Sequence, residues 1–317
     1  MKIAIIGSTN FDTMEYHLNE SLTYNGHSSR IFDVPNGNTA SITLNVPIFM
    51  NMAKEVDQYH PDLVMVVYRI MHPDFVTYLK KAGYKVIQVN PDALTTFDLQ
   101  QLFVTPYDVY FTKDPYIKRF MESSLKLNVK LYTEAFNRRV HIKPEMDKLE
   151  YEKKFDMDVM LYGSMYPYRN RMLRILIDNG INLTLFGKTE VPFYDPFLDQ
   201  YHTNYYLAGE AKAKILYGAK IVLNNLHYAE IESVNKRFSE ANGSGAFQLV
   251  DYRPILKDLL PIDPALVSFR SIDEAIEKIR YYLQHPEERA AIAGKIYNHF
   301  LNNYTYDDLI RYILSSI

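Results

Sequence analysis

The 317-residue sequence predicts two α/β domains in tandem, each a doubly wound sheet of Rossmann type. Short apolar runs alternate with stretches of helical spacing, the alternation lapses once near the middle, and it then resumes with the same rhythm. Length agrees, because domains of about 100–200 residues are the usual unit.

In the first half the spacing predicts strands over 2–6, 29–34, 62–68, 84–89, 107–112 and 129–132, with helices over 13–25, 73–82 and 115–125. Alternation of this kind means parallel strands joined by crossover helices. The opening run Met1-Lys2-Ile3-Ala4-Ile5-Ile6 stops at Gly7, too brief for a signal peptide or a membrane span, and reads as a first buried strand. Between Phe136 and Phe155 the rhythm gives way to polar and charged residues, so the boundary is placed there: residues 1–145 form one domain and 155–317 the other. The second series has strands over 158–162, 182–186, 220–224, 247–250 and 266–269, and helices over 169–179, 210–217, 234–242, 253–259 and 272–284. From Pro286 onward Ala290, Ile292, Ile296, Phe300, Leu309 and Ile313 keep helical spacing, which predicts two helices bracing the second domain.

Composition narrows the function classes. With 47% hydrophobic and 23% charged residues the chain can bury a sizeable core. A net charge of −3 provides no field to collect phosphate backbones, so duplex nucleic acid is not expected as a partner. Absence of cysteine removes disulfides, thiolate zinc sites and thiol nucleophiles together, and a cytoplasmic location fits. Tryptophan is missing while Tyr numbers 27, so aromatic burial falls on rings that carry a hydroxyl, a set suited first to packing and second to sugar stacking.

In open α/β sheets ligands sit beyond the carboxyl ends of the strands, and two such sheets facing each other enclose an interdomain cleft. The first glycine turn, Gly7-Ser8-Thr9-Asn10, lacks the spacing that admits a dinucleotide pyrophosphate, which argues against a nicotinamide enzyme. Gly187-Lys188-Thr189 follows its upstream Gly180 at the wrong distance for a nucleotide-binding lysine loop.

Two segments of the second half carry the chemistry. Asp158 to Arg169 is a strand ending in the small turn Gly163-Ser164 and feeding a helix with Arg169 and Arg171 near its start, where a diphosphate can meet N–H groups and a guanidinium. Val234 to Asp251 reads as a helix bearing Lys236, Arg237 and Glu240, then a Gly243-Ser244-Gly245 turn, then a buried strand. A carboxylate one turn into such a helix can accept ribose hydroxyls while Arg237 faces phosphates. Glu232 lies eight residues before Glu240, a spacing that charged stretches also give by chance.

The order Arg237, Phe238, Glu240, Gly245, Ala246, Asp251 resembles the C-terminal domain of GT-B glycosyltransferases, and specifically the CgeB-type family of spore-maturation proteins. One residue departs: Ser239 stands between Phe238 and Glu240, where the family sets Phe beside Glu. Asp158 to Arg169, Leu183 to Gly187, Lys220 to Asn224 and Ser271 to Leu283 are similar to further family segments, and Asp108 to Asp114 extends the likeness upstream.

The resemblance implies a GT-B fold and transfer of a sugar from a nucleotide-diphosphate-sugar donor, commonly a UDP-sugar, without a required metal or other cofactor. It implies a donor-binding second domain, with contacts from Gly163, Ser164, Arg169, Gly187, Asn224, Arg237, Glu240, Gly243, Ser244 and Gly245. The first domain is left to an unidentified acceptor. Asp12, His72 and Asp92 stand just past first-domain strands, and the acceptor's base is left open among them, each having a cap or turn role as its plainer reading. Alanine at Arg237 or Glu240 is expected to abolish donor binding and leave the fold intact. A nucleotide- or sugar-binding protein that has lost the chemistry, and a nucleotide-sugar epimerase, remain as rivals.

Overall fold

The computed structural model describes residues 1–34, 46–68, 71–92, 102–187 and 189–317; Lys188 of the Gly187-Lys188-Thr189 run lies outside them. The chain groups into two compact units, one of Met1–Glu134, Tyr228–Asn235 and Tyr306–Ile317, the other of Ala135–His227 and Lys236–Thr305.

The first unit runs β1 (Lys2–Gly7), α1 (Met14–Tyr24), β2 (Ser28–Asp33), α2 (Val46–Tyr59), β3 (Leu63–Val67), α3 (Pro73–Lys81), β4 (Lys85–Asn90), β5 (Val109–Thr112), α4 (Pro115–Leu125) and β6 (Val129–Leu131). Its six-stranded sheet has the order β2-β1-β3-β4-β5-β6, every neighbouring pair parallel. β1 and β3 are apolar and buried almost throughout, as strands covered by helices on both faces must be. Helix α2 is additional to the elements expected from sequence; its buried residues Phe49, Met52, Ala53 and Val56 keep the spacing of one helical face and join the core with Val64, Val66 and Phe75.

The second unit runs α5 (Lys148–Glu152), β7 (Val159–Tyr162), α6 (Pro167–Asp178), β8 (Leu183–Phe186), α7 (Gly209–Gly218), β9 (Ile221–Asn224), α8 (Lys236–Gly243), β10 (Gln248–Asp251), α9 (Leu256–Leu259), β11 (Ser268–Phe269), α10 (Ile272–Gln284) and α11 (Pro286–Asn303). Its five-stranded sheet has the order β11-β10-β9-β7-β8, again parallel. Met160, Tyr162, Phe186, Leu216, Val222 and Ala241 share one core cluster beneath it. The two sheets with their flanking helices are the expected two-domain α/β architecture.

The last helix, α12 (Tyr306–Ser315), belongs to the first unit. Its Asp307 accepts from Ser21 Oγ and, at 3.0 Å, from Asn25 Nδ2 at the end of α1, and Tyr306 lies 4.9 Å from the His17 ring. Tyr312 donates to the Leu131 carbonyl at 2.7 Å. This corrects the expectation that both terminal helices brace the second domain: local periodicity marks the segment as an amphipathic helix, but the sheet it packs beside is set by contacts distant in sequence. Among the described residues no helix is long and apolar enough to cross a membrane.

Candidate functional site

In the second sheet the strand order reverses where β7 meets β9, so the carboxyl ends of these strands form the switch point at which α/β sheets take ligands. β7 runs into Gly163 at φ +109° and β8 into Gly187 at φ +126°, left-handed values that favour glycine. A Cβ on Gly187 would stand 2.4 Å from the Gly163 carbonyl oxygen. The two turns therefore lie backbone against backbone, and the Gly163 N–H donates to the Phe186 carbonyl at 3.0 Å.

Onto this turn converge two guanidinium groups. A Cβ on Gly163 would be 3.0 Å from Arg237 Nη1 and 3.5 Å from Arg169 Nη1. Arg169, in the first turn of α6 and buried, donates through Nε to Asn225 Oδ1 at 2.6 Å, through Nη2 to the Asn225 carbonyl at 3.2 Å, and through Nη1 to the Ser164 carbonyl. Arg237, in the first turn of α8, donates through Nη1 to the Tyr162 carbonyl and through Nη2 to the Asn225 carbonyl at 3.2 Å. Neutral oxygens thus fix both cations, and among the described residues no carboxylate forms an ion pair with either. Burial pushes Arg169 down to about 9, and the like charge of Arg237 adds to the shift. An anion placed between them restores both charges to a favourable setting.

Glu240 sits one turn further along α8, its carboxylate buried. Oε1 is 2.8 Å from Lys212 Nζ and 3.1 Å from Lys236 Nζ, and Oε2 accepts from the Tyr162 hydroxyl at 3.3 Å. The Nε2 of His141 lies 3.9 Å from Oε1. Tyr162 is the hinge of the arrangement: its hydroxyl reaches Glu240, its carbonyl holds Arg237, and the Arg237 guanidinium lies over its ring at 5.8 Å.

Sequence reading joined several residues to this site that the structure places elsewhere. The Gly243-Ser244-Gly245 turn precedes β10 and so lies at the amino edge of the sheet, opposite the guanidinium pair. There a Cβ on Gly243 would strike the Phe136 ring at 2.1 Å, and Gly245, at φ +76°, packs against Lys143. Their small size makes room for Phe136 and Lys143 at this edge, away from the guanidinium pair to which the sequence joined them as phosphate contacts. Asn224 donates to Gln248 Oε1 at 2.7 Å as a tie between β9 and β10; the residue after it, Asn225, engages the arginines. Arg171 is exposed. Glu232 forms a bidentate pair with Arg119 at 2.7 and 3.0 Å within the first unit.

At the carboxyl edge of the first sheet, Asp12 has φ +64°, and its Oδ1 is 2.9 Å from Nε2 of the buried His17. His17 carried no sequence signal beyond its place five residues after Asp12. His72 caps α3, its Nδ1 accepting from the Asp74 N–H at 3.2 Å, and its ring stacks on Phe49 at 6.4 Å. Asp92 is exposed, and its carbonyl accepts from Asn90 Nδ2 at 2.7 Å. The first glycine turn is closed by Glu15, whose Oε1 accepts from the Ser8 N–H at 2.9 Å and whose Cγ would lie 2.4 Å from a Cβ on Gly7. A carboxylate thus fills the position a dinucleotide pyrophosphate needs.

Comparison with known proteins agrees with this geometry. A family model described as glycosyl transferase-like matches residues 169–315, which include both arginines and Glu240. Spore protein CgeB of Bacillus subtilis is 23% identical over 274 residues, covering 80% of this chain and 82% of that protein. Among solved structures, a sucrose-phosphate synthase from Thermosynechococcus elongatus superposes with TM-score 0.72 at 11% identity, covering 99% of this chain and 98% of its own. HepE of Anabaena, solved in complex with UDP-glucose, gives TM-score 0.67 at 11% identity with 100% of both chains covered. A UDP-GlcNAc 2-epimerase from Neisseria meningitidis, bound to UDP-GlcNAc, gives 0.58 at 14% identity, covering 100% of this chain and 99% of its own. At such identities the structural likenesses establish the GT-B fold and leave the reaction to the residues.

Proposed function

We propose, for a chain that is a CgeB-like glycosyltransferase of the GT-B fold, that the second unit binds the diphosphate of a nucleotide-sugar donor, a UDP-sugar, between Arg169 and Arg237. One observation carries the reading: two guanidinium groups meet at the Gly163 turn of the switch point, and among the described residues the oxygens that hydrogen-bond to them are neutral. The Asp251 carboxylate acts on both arginines without pairing directly with either, and a pyrophosphate between them supplies a direct countercharge and reaches the N–H groups at the start of α6 and α8. Glu240 lies toward the ribose, its carboxylate accepting the sugar hydroxyls.

In the transfer, the bond between the anomeric carbon and the β-phosphate oxygen breaks and a bond to an acceptor oxygen forms. The acceptor proton passes to a base, and the electron pair of the broken bond leaves with the diphosphate. Arg169 and Arg237 stabilise that growing negative charge, the part a divalent ion takes in other enzymes. Acceptor activation is assigned to the carboxyl edge of the first sheet. Asp12, in its pair with His17, is the favoured base there, because His72 is engaged as a helix cap.

A thermal-shift screen of nucleotide diphosphates and nucleotide sugars tests the donor site, followed by product analysis with and without acceptors. Stabilisation by UDP and UDP-sugars that is lost in Arg237→Ala supports the reading; no stabilisation by any of them defeats it. Formation of an isomeric UDP-sugar from donor alone turns the assignment toward the epimerase reaction. Tight binding without turnover on any acceptor turns it toward a binding protein.

A further inference from the structure

Tyr166 occupies the N-cap of α6, a position at which Ser, Thr, Asp or Asn normally satisfies the free N–H groups. Its side chain makes no capping hydrogen bond, and Pro167 follows at the first helical position. A bulky ring thus stands where helix formation gains nothing from it. Such local departures from the rules of good design gather at functional sites.

The ring is held in place. Tyr168 stacks against it at 6.0 Å with an interplanar angle of 11°, and His227, which follows β9, meets both rings edge-on at 5.5 and 5.6 Å. The Arg169 guanidinium lies 5.8 Å from the Tyr166 ring centre. Despite these neighbours, Tyr166 remains 41% exposed at the carboxyl edge of the sheet. Apolar surface fixed in orientation and open to solvent beside the buried Arg169 and the half-buried Arg237 is a recognition surface.

Order along the edge says which part of the donor meets it. From Glu240 the contacts run through Tyr162, whose hydroxyl reaches Glu240 and whose carbonyl holds Arg237, then through the shared Asn225 carbonyl to Arg169, and from Arg169 to Tyr166. In a nucleotide sugar the diphosphate separates two ends, ribose with its base on one side and the transferred sugar on the other. With the ribose toward Glu240 and the diphosphate on the arginines, the far end arrives at Tyr166. We propose that Tyr166, backed by Tyr168 and His227, is the stacking platform for the transferred hexose of the donor, an inference that rests on the donor site described above. The less polar C–H face of a pyranose matches the ring.

Calorimetric titration of the full chain separates the possibilities. UDP and the tightest binding of UDP-glucose, UDP-galactose and UDP-N-acetylglucosamine are compared on wild type, Tyr166→Phe and Tyr166→Ala. The expected result is a roughly fivefold loss of UDP-hexose affinity in Tyr166→Ala with UDP affinity unchanged, and wild-type behaviour in Tyr166→Phe, which keeps the ring. Equal weakening of UDP and UDP-hexose places the nucleobase on the ring and overturns the proposal. Unchanged binding of both ligands in Tyr166→Ala also overturns it. Wild-type protein that binds UDP in neither form removes the donor site itself, and the hexose platform with it.

Discussion

The backbone carbonyl of Asn225 accepts from Arg169 Nη2 and from Arg237 Nη2, each at 3.2 Å. Two like charges sharing one neutral acceptor repel each other, and burial has already pushed Arg169 down to about 9. Such a pair is costly in the free protein and favourable once an anion arrives. Arg237→Ala is accordingly expected to weaken UDP binding about tenfold or more, the worth of one hydrogen bond to a charged group. The melting temperature of the ligand-free variant should stay level or rise. Calorimetry and thermal melts read both quantities, and unchanged UDP affinity would remove Arg237 from the site.

The Gly187 turn makes a second prediction. At φ +126° any side chain is strained, and a Cβ would stand 2.4 Å from the Gly163 carbonyl oxygen. Gly187→Ala should therefore cost about 2 kcal/mol or more of stability and displace the Gly163 turn on which the arginines converge. Gly83 is the control: its φ is +95°, yet nothing lies within 4 Å of its Cβ position. Gly83→Ala should cost only about 1 kcal/mol and leave nucleotide binding intact. Equal effects of the two substitutions on UDP binding would show that the turn does not shape the site.

Strand runs such as Leu63–Val67 and Val159–Tyr162 were legible because parallel strands buried on both faces read as continuous apolar segments, and every strand appears within a few residues of its expected place. Arg169 and Arg237 were legible as cations at helix starts. Asn225 was not, since a strand-end asparagine gives no sign of whether it or Asn224 turns toward the ligand edge; the pairing of Asn224 with Gln248 decides it. Gly243-Ser244-Gly245 looked like a phosphate turn because composition does not reveal which sheet edge a turn occupies. Direction along the chain does: a turn that follows a helix and precedes a parallel strand lies at the amino edge. The packing of α12 on α1 depends on contacts nearly three hundred residues apart in sequence, such as Ser21 with Asp307, which no local pattern encodes.

Metal removal is the third test. If the guanidinium pair neutralises the leaving diphosphate, transfer from a UDP-sugar should persist at full rate after exhaustive chelation, and added magnesium should change the rate less than twofold. Arg169→Lys keeps a charge but loses the planar fork that engages Asn225 through Nε and Nη2, so its rate should fall with or without magnesium. Loss of activity on chelation, restored by magnesium, would contradict this division of labour.

A fourth expectation concerns pH. Lys148 donates to the Tyr217 and Ala219 carbonyls at 2.7 and 2.8 Å and pairs with Glu152 at 2.8 Å, yet burial pushes it down to about 8 from an ordinary 10.5. Below about pH 8 folded and unfolded chains both carry the proton, and the cost of burying the charge is present in full. Between that pH and the ordinary value the unfolded chain holds more protons, so stability rises with pH. Melting temperatures at pH 7.5 and 9.5 should therefore climb for wild type relative to Lys148→Met, whose overall stability is lower but lacks this slope. Parallel profiles for the two proteins would mean that Lys148 keeps its ordinary proton affinity when folded.

Glu240 is the residue for which burial most changes the expectation drawn from sequence. An alanine there was expected to spare the fold, but the carboxylate is 2.8 Å from the buried Lys212 and 3.1 Å from Lys236. Removing one partner of a buried pair costs about 3–5 kcal/mol, because the other charge is left in a low-dielectric setting. Glu240→Ala should thus melt far below wild type, and the double variant Glu240→Ala with Lys212→Met should recover most of the loss, since neither charge is then stranded. That stable double variant isolates the ribose role. Wild type should bind UDP about tenfold more tightly than 2′-deoxy-UDP if the carboxylate accepts the 2′-hydroxyl. The double variant should bind the two alike. A double variant that still prefers the ribonucleotide by the same factor would confine Glu240 to holding Lys212, Lys236 and Tyr162 together.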